Sequence, residues 1–327
     1  METKRILSLD YMKAFAIFLV VLGHLIDGVD SSGNAFRSFI YSLHMPLFFI
    51  VSGILSYNKM SSFGEIKKWY SYKLRLIIPF FIFTLGDIFF LHNDWEGYLG
   101  WNKFGLWFLW VLFIFDTIYA LTQCILLRNH SQWKEIFGLL LPVLICVALR
   151  KFNNTLLGGI FNFLQMYNYL FFILGVIIFR YNLLRFILNE RVQFLMLLVY
   201  IIGLATGWPA LNIPMKACGI LFVYGIFETT INIKKQTLFE ICGGARINNL
   251  ILLVGRRTLY IYILHFYFIR GTLQLPVYVH DILFRSPFVY LPIYSFFSIL
   301  IILGCVLFAD LLETNIYIRK YVFGSRK

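Results

Sequence analysis

Apolar stretches long enough to cross a lipid bilayer as helices recur along this chain of 327 residues. A membrane-spanning helix needs about 20 largely apolar residues, and the composition is 60% hydrophobic and only 14% charged. A transmembrane β-barrel would instead alternate apolar and polar residues within short strands. The continuous apolar runs therefore predict an all-α, polytopic membrane protein.

Ten spans are predicted, which is an even number and puts both termini on the same side of the membrane. They cover residues 6–26, 36–57, 74–92, 104–127, 136–149, 157–179, 192–207, 210–230, 250–270 and 288–312. The hydrophilic segments between them are short, so the chain is predicted to be one integral membrane domain, residues 1–327, without a fused extracytoplasmic domain.

The distribution of Lys and Arg predicts the orientation, because these residues accumulate on the cytoplasmic side. With both termini in the cytoplasm, 21 of the 29 Lys and Arg residues lie on that side, 7 lie on the other side and Lys13 lies within the membrane. The net charge of +13 follows from this topology. No nucleic-acid-binding motif accompanies it, so no nucleic-acid partner is predicted.

The first span, LDYMKAFAIFLVVLGHLI at 9–26, carries three ionisable residues, Asp10, Lys13 and His24. A charge near the middle of a membrane costs about 2.5–3.5 kcal/mol on insertion scales. Lys13 and His24 are 11 residues apart, so they share one helix face and are separated by about 16 Å along the axis. Two interpretations are open: an Asp10–Lys13 ion pair with a hydrogen-bonded histidine that holds helices together, or a polar stripe lining a cavity.

The second span contains SLHMPLFFIVSG at 42–53. Pro46 removes a backbone donor within it, and Ser52 and Gly53 are small enough to let another helix approach closely. A short outer loop joins the first two spans, so His24 and His44 are predicted on the same side of the membrane. Two histidines alone do not make a zinc site, and no metal is predicted.

Together these motifs resemble the acyltransferase type 3 family of integral membrane acyltransferases. The first helix of that family carries leucine–aspartate, a basic residue and, after ten further residues, a histidine, which Leu9, Asp10, Lys13 and His24 match. Arginine is more usual at the basic position. Lys13 keeps the charge there and loses the planar fork of five donors.

The resemblance continues along the chain in the same order. The family's second motif is matched by HMPLFF with the following SG, and weaker matches are RLIIPF at 75–80, LWFLWVLF at 106–113, YLFFILG at 169–175 and GRRTLYIYILHF at 255–266. The family core has ten helices, in agreement with the number predicted from the apolar runs.

The resemblance implies transfer of an acyl group, usually acetyl, from acyl-CoA to a hydroxyl group, commonly on a cell-surface or lipid-linked sugar. It implies acetyl-CoA as a co-substrate rather than a tightly bound cofactor. The implied partners are acyl-CoA, a glycan or lipid-linked sugar acceptor and membrane lipid, and the implied location is a bacterial inner membrane. The sequence indicates no oligomeric state.

A sugar hydroxyl needs a positioned base to take its proton as it attacks the thioester. Histidine, whose ordinary pKa is near 6.5, suits this task, and His24 is the candidate. An acyl-histidine intermediate is the covalent alternative. His44 is the second catalytic candidate and would orient His24 or bind the acceptor, with helix packing as its other interpretation.

The axial separation of about 16 Å keeps Lys13 away from a carbonyl that reacts at His24. Lys13 is therefore interpreted as a partner of Asp10 or as a contact for the CoA phosphates, with Asp10 assigned to the same donor-binding group. Arg75, at the cytoplasmic end of the third span, is a second candidate phosphate contact or a topological anchor. His265 is interpreted as interacting with its neighbouring tyrosines.

Two other classes of function are open. A transporter or flippase for a lipid-linked sugar would use the same intramembrane polar stripe as a permeation path. A non-catalytic sensor or scaffold would retain the fold and tolerate replacement of His24. The polar stripe and the two histidine motifs favour the enzyme.

Overall fold

The computed structural model describes residues 6–27, 35–56, 62–91, 105–126, 132–149, 166–233, 244–272 and 287–319. Within these ranges every regular element is a helix. The all-α prediction is thus confirmed for the described residues. The first part of the predicted sixth span, residues 157–165, lies outside them.

The α-helices are numbered here in chain order. They are α1 (Leu7–Asp27), α2 (Ala35–Ser56), α3 (Phe63–Leu91), α4 (Trp107–Leu126), α5 (Gln132–Leu149), α6 (Tyr169–Arg180), α7 (Leu184–Ile187), α8 (Glu190–Thr206), α9 (Asn212–Glu228), α10 (Gly244–Arg256), α11 (Thr258–Thr272) and α12 (Pro287–Thr314). Short 3₁₀-helices precede α6 and α9, and one π-helical turn, Thr229–Ile233, extends α9.

The chain forms two compact units, and the boundary between them falls within α2. The first unit comprises Met1–Val51 and Asn182–Leu311. Its central element is α1, in which 15 of 21 residues are buried. This helix packs against α9, α10 and α11. A helix that is apolar around most of its circumference is best placed at the centre of a bundle, as α1 is.

Helices α8 and α9 pack closely in the same unit because glycines lie where they meet. A Cβ at Gly203 would stand 2.6 Å from the Met215 side chain, and one at Gly219 would stand 2.6 Å from the Tyr200 ring. The Tyr200 hydroxyl in turn lies 2.7 Å from Ser42 Oγ, which joins α8 to α2. Small residues at helix contacts are the usual means of close packing in membranes.

The second unit comprises Ser52–Tyr181 and Leu312–Lys327. In it, α3 packs against α4, α4 against α5 and α5 against α6. A Cβ at Gly53 would overlap the backbone carbonyl of Phe172 in α6, which confirms the close approach predicted for this glycine. Lys73 Nζ lies 3.0 Å from Asp116 Oδ1, so a buried carboxylate in α4 has a cationic partner on α3.

Two predicted spans differ from the helices that form. The span predicted at 250–270 is wrong as a single helix, because α10 and α11 meet at an angle of 85°. The third helix starts at Phe63, eleven residues before the predicted start at 74. Its first turns carry Glu65, Lys67 and Lys68, so they do not belong to the apolar run from which the span is predicted.

Within the described residues, five helices are long and apolar enough to cross a membrane, or six if the bent pair α10–α11 is one span. Large apolar side chains are exposed on the helices of the first unit, for example Phe288 (91%) and Leu307 (70%) on α12. Such exposure is tolerable in lipid and costly in water. The count of ten spans and the cytoplasmic location of both termini stay predictions.

Candidate active site along helix α1

The N-terminal part of α1 holds a buried carboxylate between two cations. Asp10 is only 3% exposed. Lys13 Nζ lies 2.7 Å from its Oδ1 atom, and Arg256 Nε, at the end of α10, lies 3.9 Å from its Oδ2 atom. The Asp10–Lys13 ion pair that the spacing predicts is therefore present. Because Arg256 adds a second positive charge, this cationic end of α1 (Asp10, Lys13 and Arg256) carries a net charge of +1.

A glycine brings α10 close enough for this arrangement. A Cβ at Gly255 would overlap the backbone carbonyl oxygen of Asp10, so only glycine fits here without moving a helix. Beside this contact, Ser8 Oγ donates a 2.6 Å hydrogen bond to Glu228 at the end of α9. The start of α1 is thereby fixed to two neighbouring helices.

The other end of α1 carries His24, whose ring faces a second histidine. The ring centroids of His24 and His265 are 5.4 Å apart and the planes are inclined by 28°. Phe266 closes one side of the His24 ring, at a centroid distance of 4.7 Å. The His24 side chain is partly exposed, and no hydrogen bond joins it to another of the described residues. Among the described residues its ring is therefore held by stacking contacts alone, and neither nitrogen has a hydrogen-bond partner.

His265 is fully buried and its hydrogen bonding fixes its tautomer. Nδ1 lies 3.1 Å from the carbonyl oxygen of Ile261. A carbonyl only accepts, so Nδ1 carries the proton and Nε2 of the neutral ring is an acceptor. That Nε2 atom is buried and has no hydrogen-bond partner among the described residues. An acceptor in this position, with no partner among the described residues, can accept a hydrogen bond from a hydroxyl bound beside His24.

His44 is joined to the end of α1 through other side chains. Its Nδ1 atom donates to the carbonyl oxygen of Ile40 over 2.8 Å, and its ring meets that of Tyr41 edge to face at 4.8 Å. The Tyr41 hydroxyl donates to Asp27, which also accepts a 2.6 Å hydrogen bond from Arg37. Asp27 follows His24 by three residues, so His44 belongs to the same end of α1.

The comparisons with known proteins agree with this reading of the chain. A model of the acyltransferase 3 family, described as an acyltransferase domain, matches residues 6–310. The chain belongs to the acyltransferase 3 family. Comparisons with curated proteins and with solved structures found no match. The resemblance drawn from the motifs is thereby confirmed, and the chain is a membrane acyltransferase.

The matched region of this acyltransferase includes every predicted site residue, and the structure brings most of them together in the first unit. Asp10 and Lys13 form one cluster and His24 another, with His44 linked to the second. Arg75 lies in α3, in the second unit, and its side chain is outside the part of the molecule that the structure describes. The assignments of these residues to catalysis or to CoA binding stay predictions.

Sequence reasoning missed two residues that the fold adds to the site of this acyltransferase. Arg256 joins Asp10, and His265 faces His24, and both come from GRRTLYIYILHF at 255–266. The expected tyrosine contact of His265 exists, since its ring lies 5.9 Å from that of Tyr262. The contact with Tyr262 was predictable from the local sequence, whereas the contact with His24 was not. Within the described ranges, no group of three or more His, Cys, Asp or Glu side chains is placed to hold a metal ion.

Proposed function

We propose that this acyltransferase moves an acyl group, most simply acetyl, from cytosolic acyl-CoA to a hydroxyl of a cell-surface or lipid-linked glycan, with His24 as the general base. One observation carries the proposal. His24 is a partly exposed imidazole that makes no hydrogen bond to the other described residues, in a helix that lies within the matched acyltransferase region. A base must keep a nitrogen available for the proton of its substrate.

In the proposed reaction, a nitrogen of His24 takes the proton of the acceptor hydroxyl as its oxygen attacks the thioester carbonyl. The new C–O bond forms, the C–S bond breaks and CoA leaves as a thiolate, which then takes up the proton held by His24. The products are an acyl ester of the glycan and free CoA. His265, stacked on His24, is proposed as a positioning residue that fixes the ring during this transfer.

The donor is proposed to approach from the opposite end of α1. The phosphates of CoA carry several negative charges, and the cationic end of α1 supplies two cations, Lys13 and Arg256, beside the carboxylates of Asp10 and Glu228. The axial rise of about 16 Å between Lys13 and His24 leaves room for the extended pantetheine arm between nucleotide and thioester. Arg75 is the second proposed phosphate contact, and Asp10 holds Lys13 in position.

The N-terminus is proposed to be cytoplasmic, which places Lys13 on the side where acyl-CoA is made and His24 towards the outer side. A cytosolic donor would then serve an acceptor at the outer face. Glycan-modifying members of the family are chiefly bacterial, so the proposed location is a bacterial inner membrane. The excess of Lys and Arg on the predicted cytoplasmic side supports this orientation.

The test is acyl transfer by the purified full chain in nanodiscs, with radiolabelled acetyl-CoA and a crude lipid-linked glycan extract. Wild type should label the glycan, and His24→Ala should lower the rate about 10²–10⁴-fold, the usual contribution of a general base. His130→Ala, a histidine that the sequence places between two predicted spans, is the matched control and should transfer at the wild-type rate.

Equal rates for wild type and His24→Ala would remove His24 from the chemistry. Absence of transfer from any acyl-CoA by a folded protein would overturn the proposed reaction and favour movement of a lipid-linked sugar. Label that stays on wild type but not on His24→Ala when acceptor is omitted would identify an acyl-histidine intermediate, whereas direct transfer leaves the protein unlabelled.

A further inference from the structure

A polar cavity lies in the first unit, separate from the stacked rings of His24 and His265. Its volume is about 290 Å³, and its walls come from the start of α2, the end of α8 and the start of α9. The polar lining includes Arg37, Ser42, Trp208, Asn212 and Lys216. Small-molecule sites span about 300–1,000 Å³, so the cavity is at the lower end of that range and suits one small ligand group.

The lining is cationic. Arg37 and Lys216 both contribute to it, and none of the described residues in the lining is acidic. Arg37 has Asp27 as its counter-ion, at 2.6 Å. Lys216 forms no ion pair with any of the described residues, although it is partly buried in a helix long and apolar enough to cross a membrane. An ionisable group in such a position is costly unless it has a function or a partner.

The remaining groups also favour an acceptor-rich ligand. The ammonium group of Lys216 offers three donors and no acceptor, and the Asn212 amide offers two more donors. Trp208 lies at the rim with 63% of its surface exposed, where an indole can stack on the apolar face of a sugar ring. Phosphate oxygens accept hydrogen bonds and carry negative charge, so a bound phosphate would give the Lys216 ammonium group both a hydrogen-bond acceptor and a counter-ion.

The cavity belongs to the same end of α1 as His24. Two of its lining residues, Arg37 and Tyr41, are bonded to Asp27. Asp27 lies three residues beyond His24, which is about 4.5 Å along the helix axis. A ligand in the cavity is therefore close to the level of the candidate base and far from the cationic end of α1.

We propose that this cavity binds the phosphate and first sugar of the glycan acceptor, with Lys216 as the counter-ion of the phosphate and Trp208 against the sugar. This inference rests on the proposed function, since it names the acceptor's class as a phosphate-bearing lipid-linked sugar. Arg37 adds donors while it stays paired with Asp27. The hydroxyl-bearing ring is thereby held beside the end of α1 that carries His24.

The experiment measures binding, so it does not depend on turnover. Purified full-length protein in a neutral detergent is titrated with a polyprenyl phosphate, and native mass spectrometry gives the fraction of protein carrying the lipid. Wild type should bind, Lys216→Gln should bind at least tenfold more weakly, and Lys216→Arg should retain most of the affinity because it keeps the charge. Lys67→Gln, an exposed lysine on α3, is the matched control and should bind as wild type does.

Three further ligands distinguish the sources of an anion. Uncharged polyprenol should bind at least tenfold more weakly than polyprenyl phosphate. Phosphatidylglycerol that competes as well as the polyprenyl phosphate would indicate a lipid-headgroup site and overturn the assignment. CoA that competes would indicate a donor site and overturn it too. Equal affinities of wild type and Lys216→Gln, with Lys216→Arg also unchanged, would remove Lys216 from the site.

The outcome is distinguishable from failure of the proposed function. If His24→Ala loses acyl transfer and Lys216→Gln binds normally, the reaction stands and the acceptor site is elsewhere. If binding depends on the Lys216 charge and no acyl-CoA supports transfer, the phosphate site stands and the reaction is wrong. Unchanged elution volume and helicity of both Lys216 variants establish that a loss of binding is local.

Discussion

At the scale of single residues, Asp10 is a buried carboxylate on α1 that depends on cationic partners. Its carboxylate is nearly fully buried and lies between Lys13 and Arg256. Lys13 and Arg256 share the Asp10 carboxylate, and both cations are partly exposed to solvent. Loss of these contacts would therefore leave the buried carboxylate unpaired, whereas either cation could be solvated. The pair predicted from the sequence is real, and the third member makes Asp10 a junction between α1 and α10.

Asp10→Asn should therefore destabilise the protein although it preserves shape. The change removes the negative charge between two cations and leaves a buried amide partly unsatisfied, at a cost of about 1–3 kcal/mol in the free energy of unfolding. The measurement is the midpoint of thermal unfolding of the purified protein in one detergent.

Asp310→Asn is the control for that prediction. Arg257 Nη2 lies 2.5 Å from Asp310 Oδ1, but Asp310 is 50% exposed, and an exposed ion pair contributes less than about 1 kcal/mol. The Asp310 variant should lose less stability than the Asp10 variant. The reverse order would mean that burial of Asp10 does not decide the strength of its interactions.

The residue scale also shows what spacing can and cannot predict. Asp10 and Lys13 are three residues apart on one helix, so their pairing follows from helix geometry. The contacts of Asp10 with Arg256 and of His24 with His265 join residues more than 240 positions apart. Nothing local encodes them, and only the packing of α1 against α10 and α11 creates them.

At the scale of helices, close contacts depend on single glycines. Gly255 lies where α10 crosses the backbone of Asp10, and its missing side chain is what permits the crossing. Backbone cannot move aside as a flexible side chain can. The position of Arg256, and with it the cationic end of α1, therefore depends on the residue before it.

Gly255→Ala should destabilise the packing of α1 against α10 by about 1–3 kcal/mol, because the added methyl overlaps a carbonyl oxygen. Gly86→Ala is the matched control: Gly86 lies within α3 and an added Cβ would meet nothing within 4 Å. That change should be neutral or stabilising by up to about 1 kcal/mol, since alanine favours helix. Thermal unfolding of both variants in the same detergent gives the comparison, and equal effects would contradict the proposed importance of the contact.

Helix positions were largely predictable from apolar runs, and the exceptions have physical causes. The sequence at the junction of α10 and α11 is Gly255-Arg256-Arg257-Thr258, which has no proline to signal a break. At the break, Arg257 is paired with Asp310 of α12, a tertiary contact that no local pattern predicts. The early start of α3 was missed because charged turns do not contribute to an apolar average.

At the scale of the whole molecule, helix ends that the predicted topology places on one side of the membrane converge within the first unit. The start of α2, the end of α8 and the start of α9 meet around one cavity, and the end of α1 is bonded to two of its residues. Likewise, the start of α1 meets the ends of α9 and α10. This arrangement is the one expected if the chain follows the predicted alternating path through a membrane.

The predicted orientation can be measured by labelling of single cysteines in a variant whose five native cysteines are serine. Ala210→Cys lies in the turn between α8 and α9, and a membrane-impermeant maleimide should label it in intact cells. Lys67→Cys, exposed on α3, should react only after permeabilisation because its segment is predicted to be cytoplasmic. The opposite pattern at both sites would invert the topology and place Lys13 away from the cytosolic donor.

Apolar runs predict the positions of the helices better than they predict how many of them cross the membrane. Helix α6 has 12 residues and α8 has 17, both fewer than the roughly 20 residues that a typical membrane-spanning helix contains. Helix α3 is long enough, with 29 residues, but charged through its first half. Length and hydropathy alone therefore do not decide whether these helices cross the membrane.

The segment across the bend between α10 and α11 has a length that its two contacts with α1 constrain. One continuous stretch contacts α1 twice, through Arg256 near its start and His265 near its end. Each residue added or deleted between those two positions rotates the downstream part of the helix by about 100° and shifts it by about 1.5 Å. The number of residues between Arg256 and His265 therefore determines whether both side chains reach their partners on α1, Asp10 and His24. A single insertion in α11 before His265 would therefore move the His265 ring away from His24 even with every side chain unchanged.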